Sequence, residues 1–390
     1  MQLVAVSWLT YRLTSSALLL GIVGFASRIP TFALAPFAGV LADRWNRHRI
    51  LVITQALSMI QAMILAILVL TGSVAVWHVV ILSLSLGFIN TLDIPARQSF
   101  IADMVENRED LGNAIALNSS IVNGARLVGP SIAGLLVATL GEGICFLLNG
   151  LSFIAVIGAL IAIKITPQKR DFQRSHFLKR LKEGFSYAFG FKPIRYLLFL
   201  LALVSLMGMP YTVLMPIFAE KILGGGPQSL GFLLGAAGVG ALVGSLYLAS
   251  RKSVLGLGKV IVVSAIIFGT GLVAFSLSRL FWLSLVFMLF TGCGMMVQMA
   301  ATNTILQTLT DEDKRGRIMS FYTMAFMGMA PFGSLLAGSL ADLVGAPDTV
   351  MIGGFACILA SLLFALKLPS LRVIARPIYV SRGILQEDPR

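Results

Sequence analysis

The sequence has little charge and even less acid. Of 390 residues, 17 are Asp or Glu and 12% are charged at all, against 57% hydrophobic. Soluble domains carry about twice that share of charge, so a water-facing surface cannot be built from this composition. Histidine occurs only at His48, His78 and His176, and cysteine only at Cys145, Cys293 and Cys357. None of these stands at HExxH, zinc-finger or redox CxxC spacing, which argues against a resident metal and a disulfide framework. Paired acids, an elbow serine and a Cys/His cluster are also missing, so catalysis has no visible machinery. No cofactor is expected, and the chain reads as a non-enzyme.

What the sequence does have is apolar length, with a mean hydropathy of +0.90. A membrane-crossing helix needs about 20 apolar residues, and such runs recur at roughly 16–42, 48–71, 76–96, 114–138, 143–164, 194–219, 228–250, 257–277, 281–303, 317–341 and 348–368. With a first segment at 1–12 they make twelve. That first segment, "MQLVAVSWLTYR", reaches only ~18 Å as a helix. It reads as a first helix truncated at its N-terminus, with a short or re-entrant segment as the alternative.

The net charge of +13 is a topology signal. When loops are assigned alternately to two sides, one side receives only Arg12, Lys221 and Arg279, and Arg28 and Arg126 stay inside spans. Every other lysine and arginine falls on the opposite side. By the positive-inside rule that side is cytoplasmic and holds both termini, and a nucleic-acid partner is not expected. The polar stretch near 164–195 divides the spans six and six. The expected organisation is a six-helix bundle over 1–164, a cytoplasmic connector over 165–193, a second six-helix bundle over 194–368 and a cytoplasmic tail over 369–390.

An internal repeat supports that division. At an offset of 204 residues, Gly112, Gly129, Gly134 and Gly141 match Gly316, Gly333, Gly338 and Gly345. Parallel duplication of a helix bundle is one known plan for secondary carriers.

The stretch "GVLADRWNRHR" at 39–49 packs an acid and three arginines behind an apolar run. It resembles the cytoplasmic signature of the major facilitator superfamily, with Gly39, Asp43, Arg44, Arg47 and Arg49 matching and Asn46 in place of glycine. Asn46 is read as a tolerated left-handed turn residue. Asp43 would sit at the anion-repelling end of its own helix and needs a partner, such as the helix start near "KRGRIMS". The resemblance implies a conformational gate there; simple anchoring of the arginines to lipid is the other reading. "ARLVGPSIAG" at 125–134 is similar to the superfamily's antiporter motif through Gly129, Pro130 and Gly134, although close packing explains small residues equally well. "TLDIPARQSFIADMV" at 91–105 resembles the enterobactin-exporter-like branch. Within it Asp93 and Arg97 stand one helical turn apart, able to pair with each other or to join the gate.

Arg28 and Arg126 lie near the middle of their spans, where charge is expensive and marks function. No acid lies at similar depth, so both are candidate contacts for an anionic substrate; snorkelling, or pairing with an acid outside this sequence, remains open. The resemblance implies the major facilitator fold, an all-α membrane protein of two six-helix bundles in the cell (inner) membrane. The implied function is export of small siderophore- or drug-like amphiphiles by alternating access, with protons as the coupling ion in antiport. The expected partners are a small-molecule substrate and the lipid bilayer, and the chain is expected to act as a monomer. Import or lysophospholipid flipping on the same fold, and a non-transporting receptor or scaffold, are the alternatives.

Overall fold

The computed structural model describes residues 1–105, 108–163, 187, 189–251, 253–312 and 314–385, with the side chains of 35–44 outside the described part. Nearly all of the connector predicted over 165–193 therefore lies outside the described residues. The helices are α1 (Gln2–Thr14), α2 (Ala17–Arg44), α3 (Arg47–Leu70), α4 (Val76–Met104), α5 (Leu111–Ala162), α6 (Lys192–Leu203) and α7 (Tyr211–Ile217). They continue with α8 (Pro227–Ala249), α9 (Leu257–Leu277), α10 (Phe281–Leu309), α11 (Arg315–Phe326), α12 (Ala330–Val344) and α13 (Ala346–Ser381). No strand occurs among the described residues.

Ten helical stretches are long and apolar enough to cross a membrane. One of them, α5, contains two spans joined at Gly141, and α1 is a shorter apolar helix. Their outer faces carry exposed side chains such as Trp282, Leu343 and Leu366, which suit hydrocarbon and would be untenable in water.

Three elements depart from the sequence reading. Helix α4 continues through Pro95 to Met104, although 97–113 reads as a loop. Proline removes one ladder bond, but the turn beyond it is held by packing of Ala96 and Phe100 on Ile50 and Leu51 of α3 and Leu160 of α5. The eleventh span is broken, α11 stopping at Phe326 and α12 starting at Ala330. Pro331 has no N–H to continue the ladder, and the carbonyl freed at Phe326 accepts a hydrogen bond from Ser205 Oγ. Ser205 lies in a π-helical turn, Val204–Gly208. Finally, the helix of the last span runs on to Ser381, so the first part of the predicted tail is helical.

The described chain forms two compact units. The first combines Met1–Gln173 with Val213–Gly235 and Ser334–Asp342; the second holds Arg174–Thr212, Ala236–Gly333 and Leu343–Arg390. Inside the first unit two helix crossings repeat each other. A Cβ on Gly134 would stand 2.5 Å from Pro227 O and 2.8 Å from Gly231 Cα, and one on Gly338 would stand 2.8 Å from both Ala17 O and Gly21 Cα. Gly134 and Gly338 are equivalent in the 204-residue repeat, so each copy makes the same glycine-on-glycine contact. The turns at their ends match as well: Gly141 has φ 81, ψ 167 and Gly345 has φ 91, ψ 157. That backbone region is essentially confined to glycine. Gly141→Ala is therefore expected to cost ~1–3 kcal/mol, read as a lowered thermal midpoint in detergent, and Gly345→Ala should behave alike; midpoints equal to wild type would count against this account of the turns.

Candidate functional site

The polar groups of the first unit concentrate where α3 meets α4. Helix α3 begins at Asn46, whose side chain accepts from Arg49 N at 3.2 Å with φ −65 and ψ 110. The residue in the signature's glycine position is thus an extended N-cap; the left-handed turn expected from sequence does not form. An Asn side chain satisfies one of the first-turn amides, and the extended φ/ψ is the ordinary capping conformation. Arg47 follows at the positive pole of α3, an unfavourable place for a cation. It is compensated by Asp103 near the end of α4, with Arg47 Nη1 at 3.0 and 3.3 Å from the two carboxylate oxygens. His48 packs beside this pair, its Nε2 at 2.6 Å from Leu160 O and its ring stacked on Phe100.

About two turns deeper along α3, the carboxylate of Asp93 is buried and saturated. Its Oδ1 accepts from Gln55 Nε2 at 2.7 Å and lies 2.9 Å from Thr54 Oγ1, and its Oδ2 accepts from Arg97 Nη2 at 2.6 Å. Pro95 leaves the Asp93–Arg97 turn intact. Burying a carboxylate is tolerable only with such partners, and here they come from two helices, so the charge state of Asp93 is tied to how α3 and α4 pack. Further along, Gln61 donates to Leu82 O and accepts from Gln2, which in turn accepts from Asn149. Amide contacts of this kind join helices in lipid.

The remaining candidates fare differently. The side chains of Gly39, Asp43 and Arg44 lie outside the described part. Of the antiporter-like residues, Gly134 forms the crossing with Gly231, Pro130 O lies against Gly231, and Gly129 has nothing within 4 Å of where a Cβ would stand. Arg28 is half-buried on α2 and Arg126 exposed on α5. Neither makes a hydrogen bond or ion pair among the described residues, and the two are not joined. Three residues and one ion pair escaped the sequence reading: Asp103, Thr54, Gln55 and the Arg12–Glu142 pair at 2.7 Å. Asp103 had a signal, since Ala96, Phe100 and Asp103 fall at i, i+4, i+7 on one face. Glu142 had none, being 130 residues from its partner.

Residues 1–377 match the family described as "Transmembrane secretion effector". The chain belongs to this family of major facilitator transporters. It is 27% identical over 366 residues to the staphyloferrin A transporter of Staphylococcus aureus, spanning 93% of this chain and 90% of that one. Similarity to the multidrug efflux pump Tap of Mycolicibacterium fortuitum is 25% over 379 residues, covering 95% and 92%. Among solved structures, a bacterial homologue of the lysosomal transporter Spinster, inward-facing and unoccupied, superposes with a TM-score of 0.69 at 14% identity, covering 100% and 96%. The protein is accordingly a multi-pass membrane transporter of small molecules with the major facilitator fold, and not an enzyme. The α3–α4 cluster adjoins the 39–49 stretch, whose resemblance to the superfamily signature is read from the sequence alone.

Proposed function

We propose that the protein exports small amphiphilic molecules, siderophore- or drug-like, by alternating access in antiport with protons. The observation that carries this reading is the buried Asp93 carboxylate with donors on both α3 and α4. Protonation would remove the charge that Arg97 neutralises and turn one acceptor oxygen into a donor facing the donors of Gln55 and Thr54, which favours loosening of α3 from α4. The neighbouring Arg47–Asp103 pair and the signature residues Gly39, Asp43 and Arg44 then serve as the cytoplasmic latch, in the inner membrane with both termini in the cytosol. The paired glycine crossings supply close, low-friction contacts about which helices rock, as small residues do in membranes. Export, as opposed to import, is supported by relatives such as Tap, whose name states efflux.

Arg28, unpaired among the described residues, is the group we assign to an anionic substrate, with Arg126 as a second candidate. Replacing Arg28 with alanine removes charge-assisted hydrogen bonds worth ~1.5–3 kcal/mol, about ten- to a hundredfold in apparent affinity. Transport of anionic substrates should fall by that factor while neutral ones are spared. Equal transport of both classes by wild type and variant would remove the assignment. The function itself is tested by intracellular accumulation of a panel of siderophores, macrolides and dyes in a host lacking its own exporters. Lower accumulation of at least one compound than in an empty-vector strain supports export. Higher accumulation would make the protein an importer, and no difference across the panel would remove the reading.

A further inference from the structure

In the second unit, away from the α3–α4 cluster, a cleft of about 460 Å³ is lined by Thr304, Gln307 and Thr308 of α10, Arg315 at the start of α11, and Arg382 and Ile384 beyond α13. Its geometry is built by the chain end folding back. Arg382 Nη2 donates to Thr310 O at 2.6 Å, satisfying a carbonyl at the negative pole of α10, and the amides of Ile384 and Leu385 both bond to Tyr379 O. The guanidinium of Arg382 thus lines the same cleft as Arg315, whose Nε is buried and has no hydrogen-bond partner among the described residues. Gln307 spends one amide hydrogen on Asn303 Oδ1 and keeps the other. Among the described residues, the first-turn amides of Arg315 and Gly316 likewise have no backbone acceptor.

Among the described residues no carboxylate lines this cleft. The nearest described acid in the loop, Asp311, is engaged by Lys314 Nζ at 3.0 Å and Tyr187 Oη at 3.4 Å. The Lys314 hydrogen bond holds the Asp311 carboxyl below the usual carboxylate range, and the charge of Arg382 acts in the same direction. Two guanidinium forks, one amide and the start of α11 thus border one open space, which no described carboxylate lines. That donor arrangement matches a tetrahedral anion, whose oxygens accept from several sides at once.

We propose that this cleft binds a phosphate group, carried either on the headgroup of an anionic phospholipid or as free phosphate. The start of α11 is also the helix end that the sequence reading offers to Asp43, so the test reads ligand binding and not transport, and its failure would leave the proposed export untouched. The test uses the full chain in detergent, measuring the thermal midpoint and native mass spectra with phosphatidylglycerol against phosphatidylcholine, and with inorganic phosphate against chloride at equal ionic strength. A rise in midpoint with retained adducts for phosphatidylglycerol alone identifies the headgroup; a rise with phosphate alone identifies the free anion. In either case Arg315→Gln should weaken the effect about tenfold, the loss expected for one charge-assisted contact. Ile384→Glu, which places an acid at the rim without touching a buried group, should do the same even if Arg315→Gln fails to accumulate. Absence of any shift with either ligand, or wild-type binding by both variants, overturns the proposal.

Discussion

Replacing Asp93 with asparagine is expected to abolish proton-driven transport while leaving the protein folded. The asparagine keeps an oxygen for Gln55 Nε2 and Thr54 Oγ1, the two donors that meet Asp93 Oδ1. What disappears is the charge of a carboxylate that is 8% exposed, facing an Arg97 side chain that is 57% exposed and free to turn outward; the loss is that of one charge-assisted hydrogen bond, about 1.5 kcal/mol. Stability should therefore drop slightly, whereas the step that requires a carboxylate to gain and lose a proton is gone, and efflux should fall to background. Asp93→Leu makes the contrast. It leaves the buried donors of Thr54 and Gln55 unmatched at roughly 1–3 kcal/mol each, and should lower both the thermal midpoint and the yield. Efflux and midpoint measured side by side separate the two roles. An Asp93→Asn protein that transports at the wild-type rate would reduce Asp93 to a structural residue.

The second large effect belongs to the glycine crossings. Gly134→Val would drive side-chain atoms past a Cβ already 2.5 Å from Pro227 O and 2.8 Å from Gly231 Cα. The neighbour is backbone, which cannot swing aside, so the helices must separate. Overpacking costs about 1–3 kcal/mol even in adaptable cores, and in lipid close van der Waals contact is a principal force holding helices together. Transport should be lost and the thermal midpoint lowered by several degrees. Gly338→Val should match it, because Gly21 meets Gly338 as Gly231 meets Gly134. Gly129→Ala is the control: with nothing within 4 Å of its Cβ position, it should leave the midpoint unchanged or slightly raised, alanine being the better helix former by about 1 kcal/mol. Midpoints lowered equally at Gly129 and Gly134 would mean that glycine content, and not the crossing, is what matters.

These two predictions also mark which parts of the molecule were legible in the sequence. The spans were, because in hydrocarbon every backbone group must be satisfied within the helix and the apolar run has to be long enough to do so. The repeat was legible at Gly134 and Gly141, whose counterparts Gly338 and Gly345 share their packing or their backbone angles. It misled at Gly129, which is open while its partner Gly333 lies against Leu206 and Pro210; sequence register carries no information about which neighbour a helix meets. The Asp93–Arg97 pair followed from spacing alone. The donors that bury it did not, since which residues of α3 face Asp93 depends on how α3 and α4 pack, and that tertiary packing, like the continuation of α4 past Pro95, is encoded by no local rule. Asp103 was hidden for the same reason. Asn46 was read by its tolerance of left-handed angles when its capping oxygen was what the site used. The break between Phe326 and Ala330 was signalled by Pro331, yet uniform hydropathy across 317–341 masked it.

Energised everted membrane vesicles test the central claim most directly. With the interior acidified by respiration and reported by a pH-sensitive dye, adding a compound found to be exported should release protons at once and partly collapse the gradient. The release should be absent in vesicles carrying Asp93→Asn. Exported compounds that move without disturbing the gradient, or a wild-type response from Asp93→Asn, would contradict a proton antiporter whose coupling carboxylate sits between α3 and α4.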